Sequence, residues 1–252
     1  MFLKIHKKKT EKIAQIQNKT PFKELQDLEK NKYDHIYEKW SYFYFPISFL
    51  IFFRNIISRY SIRRGESLLD IGCGEGYFSN ILSKLGLEVT GVDISKTGIN
   101  IAKKRYGDKI TWIIGDALEL KFQEKFDIIL CAGFSPFSLI SDLSSSKAKS
   151  IRDKLFSYLK KGGLFIFYYP SDLSSRRSED GWMNFSINQI REYFLSLPNT
   201  ANNNLYLFYP PMHLLLGRYA LSRIVTNYLK KNKIIRYIRP VIILIILKND
   251  KY

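Results

Sequence analysis

Leu68-Leu69-Asp70-Ile71-Gly72-Cys73-Gly74-Glu75-Gly76-Tyr77-Phe78 joins a short apolar run to a glycine-rich turn and then to a helical pattern. It reads as a buried strand, a ligand-binding loop and the start of a helix. Glycine has no Cβ, so alternate glycines let the backbone turn sharply and approach a ligand. Amide N–H groups at the helix N-terminus are then left for a phosphate or a carboxylate. The dinucleotide fingerprint asks for G-x-G-x-x-G, whereas the spacing here is G-x-G-x-G, with Tyr77 in the last slot and Asp70 just ahead of the first glycine. That spacing argues against NAD. Asp93 closes a second apolar run, Val89-Thr90-Gly91-Val92, at a place where a carboxylate accepts both hydroxyls of a ribose. Two strand ends thus converge on one nucleoside.

An acidic residue ahead of G-x-G-x-G, followed by an acidic strand end, resembles the class I S-adenosylmethionine-dependent methyltransferases. The resemblance implies an α/β fold: a doubly wound, mostly parallel seven-stranded sheet with helices on both faces, here with an N-terminal helical extension and a helical insertion before the last strand. It implies S-adenosylmethionine as cofactor. Asp70, Gly72, Cys73, Gly74 and Gly76 fall on the first motif, and Asp93 with Ile94 on the ribose site. In the turn Gly115-Asp116-Ala117, the family uses the acidic residue to accept from the adenine exocyclic amine, which falls on Asp116, while Ala117 offers a backbone N–H. Cys131, at the end of the strand Phe126-Asp127-Ile128-Ile129-Leu130, is counted with the cofactor residues because the family does its chemistry at that strand end. Leu159-Lys160-Lys161-Gly162-Gly163 also resembles the family, where it precedes the fifth strand.

The departures from the family narrow the acceptor. Cys131-Ala132-Gly133-Phe134-Ser135-Pro136-Phe137 holds neither Asn-Pro-Pro-Tyr nor a Pro-Cys pair, so methylation of adenine N6, glutamine or cytosine C5 by those routes is disfavoured. A small-molecule, glycan or lipid-type acceptor, methylated on oxygen or nitrogen, moves forward. The alternatives are an RNA methyltransferase, or a non-catalytic S-adenosylmethionine-binding or interaction domain.

With 252 residues, 46% of them apolar, the chain has room for one large catalytic domain and its own core. We divide it into a basic arm and helical cap over 1–60 and a methyltransferase domain over 61–252. The net charge of +17 sits at the ends: residues 1–60 carry 12 basic and 6 acidic side chains, residues 205–252 carry 9 and 1. Such flanks meet an anionic membrane surface or nucleic acid, or are simply solvated. Cys73 and Cys131 suit small buried positions, with no disulfide and no metal expected. No secretory pattern opens the chain, and the apolar run 42–53 is too short to span a bilayer. The expected location is the cytoplasm, with a peripheral membrane contact through Trp40 and Tyr42 to Phe45 as the alternative.

Several side chains remain as acceptor-site candidates. Residues 21–40 have a helical spacing of Phe22, Leu25, Leu28, Tyr33, Ile36, Tyr37 and Trp40, so Tyr33, Tyr37 and Trp40 are placed over the cofactor. Phe134 leaves the fourth strand, and Trp182 lies in a polar stretch, 170–185, expected to be a mobile loop. Arg176 and Arg177 there are either candidates for binding an acidic acceptor or simply solvated. Among His6, His35 and His213, only His213 is kept as a general base, since it opens the insertion 213–238, read as a helical lid over the acceptor.

Overall fold

A computed structural model describes residues 20–39, 46–178, 181–195, 204–208 and 241–248, the last two stretches through their backbone alone. Five strands run parallel: β1 (Ser67–Ile71), β2 (Glu88–Asp93), β3 (Thr111–Ile114), β4 (Phe126–Ala132) and β5 (Leu159–Ser171). At the edge of β5, β7 (Val241–Lys248) pairs antiparallel and in turn carries β6 (Asn204–Phe208). The order is β3-β2-β1-β4-β5-β7-β6. The chain first runs outward from β1 to β3, then returns to lay β4 on the other side of β1. This reversal opens a crevice beyond the C-terminal ends of β1 and β4, the place where open α/β sheets bind ligands.

The helices are α1 (Phe22–Lys39), α2 (Pro46–Arg59), α3 (Tyr77–Lys84), α4 (Lys96–Tyr106), α5 (Ser135–Leu139), α6 (Ser146–Ser157) and α7 (Ile187–Leu195). Strand side chains alternate between the two faces of the sheet, and both faces are covered. Leu69, Ile71, Ile129, Cys131, Phe165 and Phe167 pack on one side with Ile151 and Leu155 of α6 and Ile190 and Phe194 of α7. Leu68, Ile128, Leu130, Ile166 and Tyr168 pack on the other with Phe52, Phe53 and Ile56 of α2 and residues of α3 and α4. The doubly wound arrangement follows from strands that are apolar on both sides.

Helix starts obey local chemistry. Ser95 accepts from the Gly98 N–H at 3.0 Å and caps α4; Ser145 accepts from the Ala148 N–H and caps α6. Ser186 and Gln189 exchange hydrogen bonds in a capping box, which starts α7. Lys160-Lys161-Gly162-Gly163, which the resemblance places ahead of the fifth strand, lies instead within β5. Helix α6 already ends at Ser157. Lys160 then pairs with Asp127 at 2.9 Å, while the hydroxyl and N–H of Ser67 donate to the same carboxylate, tying β1, β4 and β5 together at the end of the sheet away from the crevice. Residues 170–178 and 181–185 are pinned rather than loose. Arg177 bridges to Met183, and its guanidinium donates to the carbonyls of Ser138 and Gly181. It is a clasp between two loops, which corrects its reading as an acceptor ligand.

No helix among the described residues is long and apolar enough to cross a membrane. Trp40, His213, the arm 1–19, the aromatic cluster at 42–45 and the insertion 213–238 lie outside the described residues.

Candidate active site

The glycine loop is built by its own hydrogen bonds. The N–H groups of Gly72 and Cys73 both donate to the Val92 carbonyl, at 2.8 and 3.1 Å, and the Gly76 N–H donates to the Cys73 carbonyl. The Gly74 N–H donates to Asp93 Oδ2 at 2.8 Å, and Asp93 Oδ1 accepts from the Ser95 N–H at 2.8 Å. Four loop amides are therefore spent inside the protein, against the expectation that they wait for a phosphate. An anion there would also face Asp93. The loop suits a neutral or cationic ligand group, and this is a second argument against a dinucleotide pyrophosphate.

Each Asp93 oxygen takes one backbone N–H and keeps lone-pair capacity for a second donor. Burial pushes its carboxyl above the ordinary range, with the Ser95 and Gly74 amides opposing. Asp70 lies behind the loop, buried, with Ser79 of α3 donating to it at 2.6 Å. Burial, with a further contribution from the Asp93 charge and despite Ser79, pushes it up to about 7. Asp70 does not line the crevice. Its place behind the loop corrects the sequence reading: it ties β1 to α3.

The crevice has two lobes that share Tyr33, Tyr37, Gly72 and Gly133. The inner lobe is bounded by Asp93 and Ile94 after β2, Asp116 and Ala117 after β3, and Phe134 after β4. Asp116 accepts from the Leu118 N–H and, at 2.9 Å, from Gln26 Nε2 of α1. An amide NH2 on this carboxylate reproduces the hydrogen bond an adenine amine would make. Helix α1 is fastened over the lobe at a second point, where Asp34 accepts from the Ser95 hydroxyl and the Thr97 N–H.

The outer lobe is a cavity of about 630 Å³. Cys73, Gly74, Tyr77 and Phe78 form one wall, Ala132 and Tyr168 the floor at the strand ends, and Asp172, Trp182 and Asn184 the far side. Trp182 donates from Nε1 to the Pro170 carbonyl and stacks on Tyr169 at 5.0 Å.

Most sequence candidates thus meet in one crevice: Gly72, Cys73, Gly74, Asp93, Ile94, Asp116, Ala117, Tyr33, Tyr37, Phe134 and Trp182. Gly76 does not line it. Its left-handed φ of 76° starts α3, and a Cβ there would lie 2.3 Å from the Trp112 ring. Cys131 is also corrected: it is fully buried in the core, and its neighbour Ala132 lines the lobe. Burial pushes both thiols well up, and both cysteines are free. Gln26, Glu29, Tyr168 and Asp172 were missed. The signal for the first two was the spacing 26, 29, 33, 37 on one face of α1, whereas Leu28, assigned to that face, is 55% exposed.

A family model described as "Methyltransferase domain" matches residues 62–206. The chain is 38% identical over 94 residues to the ubiquinone biosynthesis O-methyltransferase of Pelagibacter ubique, covering 34% of this chain and 39% of that protein. It is 32% identical over 104 residues to the malonyl-[acyl-carrier protein] O-methyltransferase of Priestia megaterium, covering 40% and 35%. The matched part therefore spans well under half the length of these curated relatives. In fold it is similar to the plantazolicin methyltransferase BpumL, solved with a monoazolic desmethylPZN analog and SAH (TM-score 0.60, 18% identity, 99% of each chain), and to Haemonchus contortus phosphoethanolamine N-methyltransferase 2 with S-adenosyl-L-methionine (TM-score 0.55, 18% identity, 79% of this chain and 52% of that one). With the family model covering the glycine loop, both strand-end carboxylates and β5, the chain belongs to the methyltransferase-domain family, in the class I S-adenosylmethionine-dependent group that its sequence resembles.

Proposed function

We propose that the chain transfers a methyl group from S-adenosylmethionine to a small-molecule acceptor held in the outer lobe. The observation that carries this reading is the pair of carboxylates at the ends of β2 and β3, opening on one lobe, with an amide NH2 already on the second. Asp93 takes the ribose hydroxyls. Asp116 exchanges Gln26 for the adenine amine, and the Ala117 N–H serves a ring nitrogen. When bound, the cofactor supplies an electrophilic methyl on a sulfonium. The protein's task is then to align an acceptor lone pair with it and keep water out, which is positioning more than acid–base chemistry. Tyr33, Tyr37 and Gly133, shared by both lobes, stand where cofactor and acceptor meet.

The ubiquinone biosynthesis and malonyl-[acyl-carrier protein] O-methyltransferases among the curated relatives support a metabolite-type acceptor here, while a ribosomal protein L11 methyltransferase, 34% identical over 110 residues, is also among them. Among the described residues no Lys or Arg lines either lobe, which disfavours an RNA substrate. In this reading β6 and β7 complete a seven-stranded sheet, 1–60 is the cap over the domain 61–252, and 213–238 contributes acceptor contacts, with His213 as a base.

Calorimetry tests the reading: S-adenosylmethionine and its demethylated product should bind 1:1 and NAD should not. Asp93→Ala should weaken binding by about 1.5–3 kcal/mol, the value of hydrogen bonds to a charged group. Preferential binding of NAD would refute the assignment.

A further inference from the structure

The protein carries 40 Lys and Arg against 23 Asp and Glu, yet its crevice inverts that balance. Glu29, Asp93 and Asp116 line the inner lobe, and Glu75 and Asp172 the outer one, with no cationic side chain among the described lining residues. Some of this charge is already matched: Glu75 pairs with Arg105 at 3.1 Å, and Lys23 lies 3.8 Å from Asp116. Glu29 is different. Its Oε1 meets Lys32 at 3.1 Å, but its Oε2 is buried with no hydrogen-bond partner among the described residues. A buried carboxylate oxygen left in this way calls for a donor.

The outer lobe adds aromatic rings to the carboxylates. Tyr33 and Tyr168 border it, and Trp182 borders it with Tyr169 stacked behind the indole. Ring faces attract a cation and repel an anion, most strongly at sites removed from water. Asp172 stands on the same side as Trp182, and its Oδ1 is held by the Ser174 N–H at 2.8 Å. A cavity of this size with a carboxylate and aromatic rings among its described lining residues favours a cationic ligand group over a carboxylate or phosphate.

We propose that the acceptor is an amine that arrives as an ammonium ion, held in the outer lobe by Asp172 and by the rings of Tyr33, Tyr168 and Trp182. The assignment rests on the methyl-transfer reading and names its substrate class. The ammonium first releases one proton, to the base or to solvent at the open side of the lobe. The freed nitrogen lone pair then forms the N–CH3 bond as the C–S bond breaks. The sulfur keeps that electron pair and becomes a neutral thioether, and the methylated nitrogen carries the positive charge.

The test uses the full chain saturated with S-adenosylhomocysteine and three probes sharing one ring: benzyltrimethylammonium, which cannot be methylated, benzyl alcohol and benzoate. The cation should bind most tightly and the anion least. Asp172→Asn, which keeps the acceptor for Ser174, should weaken the cation about tenfold, in the range of one desolvated charge contact, and leave benzyl alcohol unchanged. Trp182→Phe should weaken the cation less than Asp172→Asn does. Equal or tighter binding of benzoate, no measurable binding of the cation, or an Asp172→Asn loss shared equally by the alcohol would each overturn the proposal. The charge order in the parent chain decides the matter even where a variant fails to fold. Failure to bind S-adenosylhomocysteine at all would instead refute the methyl-transfer reading itself.

Discussion

Asp70 on β1 and Asp93 at the end of β2 are carboxylates on neighbouring strands, and their surroundings set them different tasks. Asp93 receives two backbone N–H groups and faces the inner lobe, while Asp70 receives one hydroxyl and faces the interior. A buried carboxyl pushed up to about 7 binds its proton more tightly folded than unfolded. The sign follows: the stabilisation from Asp70 is complete below its ordinary value of 3.8 and is lost as pH rises through about 7. Asp70→Asn keeps an acceptor for the Ser79 hydroxyl and removes the buried charge. Melting curves should therefore show the variant gaining on the parent between about pH 4 and pH 7, by at most about 4 kcal/mol, the equivalent of raising a carboxyl from 3.8 to about 7. An unchanged difference across that range would show that Asp70 does not titrate there. The sequence placed Asp70 correctly at the motif but not its side chain, because which way a strand residue points depends on the pleat. The same alternation sends Cys131 into the core and Ala132 to the lobe.

At the scale of elements, the glycines of the loop divide the work between folding and binding. Gly76 needs its left-handed φ to open α3, and a Cβ would strike the Trp112 ring at 2.3 Å and the Ala102 Cβ at 2.9 Å, both inside packed structure. Gly76→Ala should destabilise the fold by about 2–4 kcal/mol, combining left-handed strain with overpacking. At Gly74 the Cβ would instead meet Tyr37 Oη at 2.5 Å, the far end of a side chain on α1. Gly74→Ala, with φ 54°, should lose about 1–2 kcal/mol from strain and push α1 off the crevice, so its affinity for S-adenosylhomocysteine falls by a larger factor than its stability explains. Equal losses in melting temperature for the two variants, with equal affinity, would contradict this division. Strand ends and the start of α3 were legible from sequence because they depend on local chemistry: continuous apolar runs and the glycine spacing after β1. Gln26, Glu29 and Asp34 were not, because polar residues on an amphipathic helix look the same whether they face water or a crevice. The Lys160–Gly163 stretch misled for a related reason. Its glycines resemble a helix stop, but Lys160 finds Asp127 across the sheet and the strand starts early.

At the scale of the whole molecule, the open question is what the segment between β6 and β7 does. Its ends are well defined. Phe208 pairs with Ile242, so the chain leaves β6 and returns to β7 at one point of the sheet. Val241 in turn pairs with Ser171, the last residue of β5, which is followed by Asp172 on the wall of the outer lobe. The segment therefore departs and returns on the acceptor side of the crevice, at the C-terminal ends of the parallel strands. The sequence supplies Leu214, Leu215, Leu216, Tyr219, Leu221, Ile224, Val225 and Tyr228 there, and an apolar helical spacing needs a surface to cover. Because the strand ends are paired neighbours, a short Gly-Ser turn in place of 213–238 can join them without moving β7. The cofactor groups Asp93, Asp116 and Ala117 lie across the sheet, after β2 and β3, and should be untouched. The shortened chain should bind S-adenosylhomocysteine within about tenfold of the parent, a difference of ~1.4 kcal/mol, and should lose methyl transfer to its acceptor. Calorimetry and a labelled-methyl assay on the same folded preparation separate the two effects. A shortened chain that methylates at the parental rate would show that acceptor recognition is complete within β1–β7 and the loops already described.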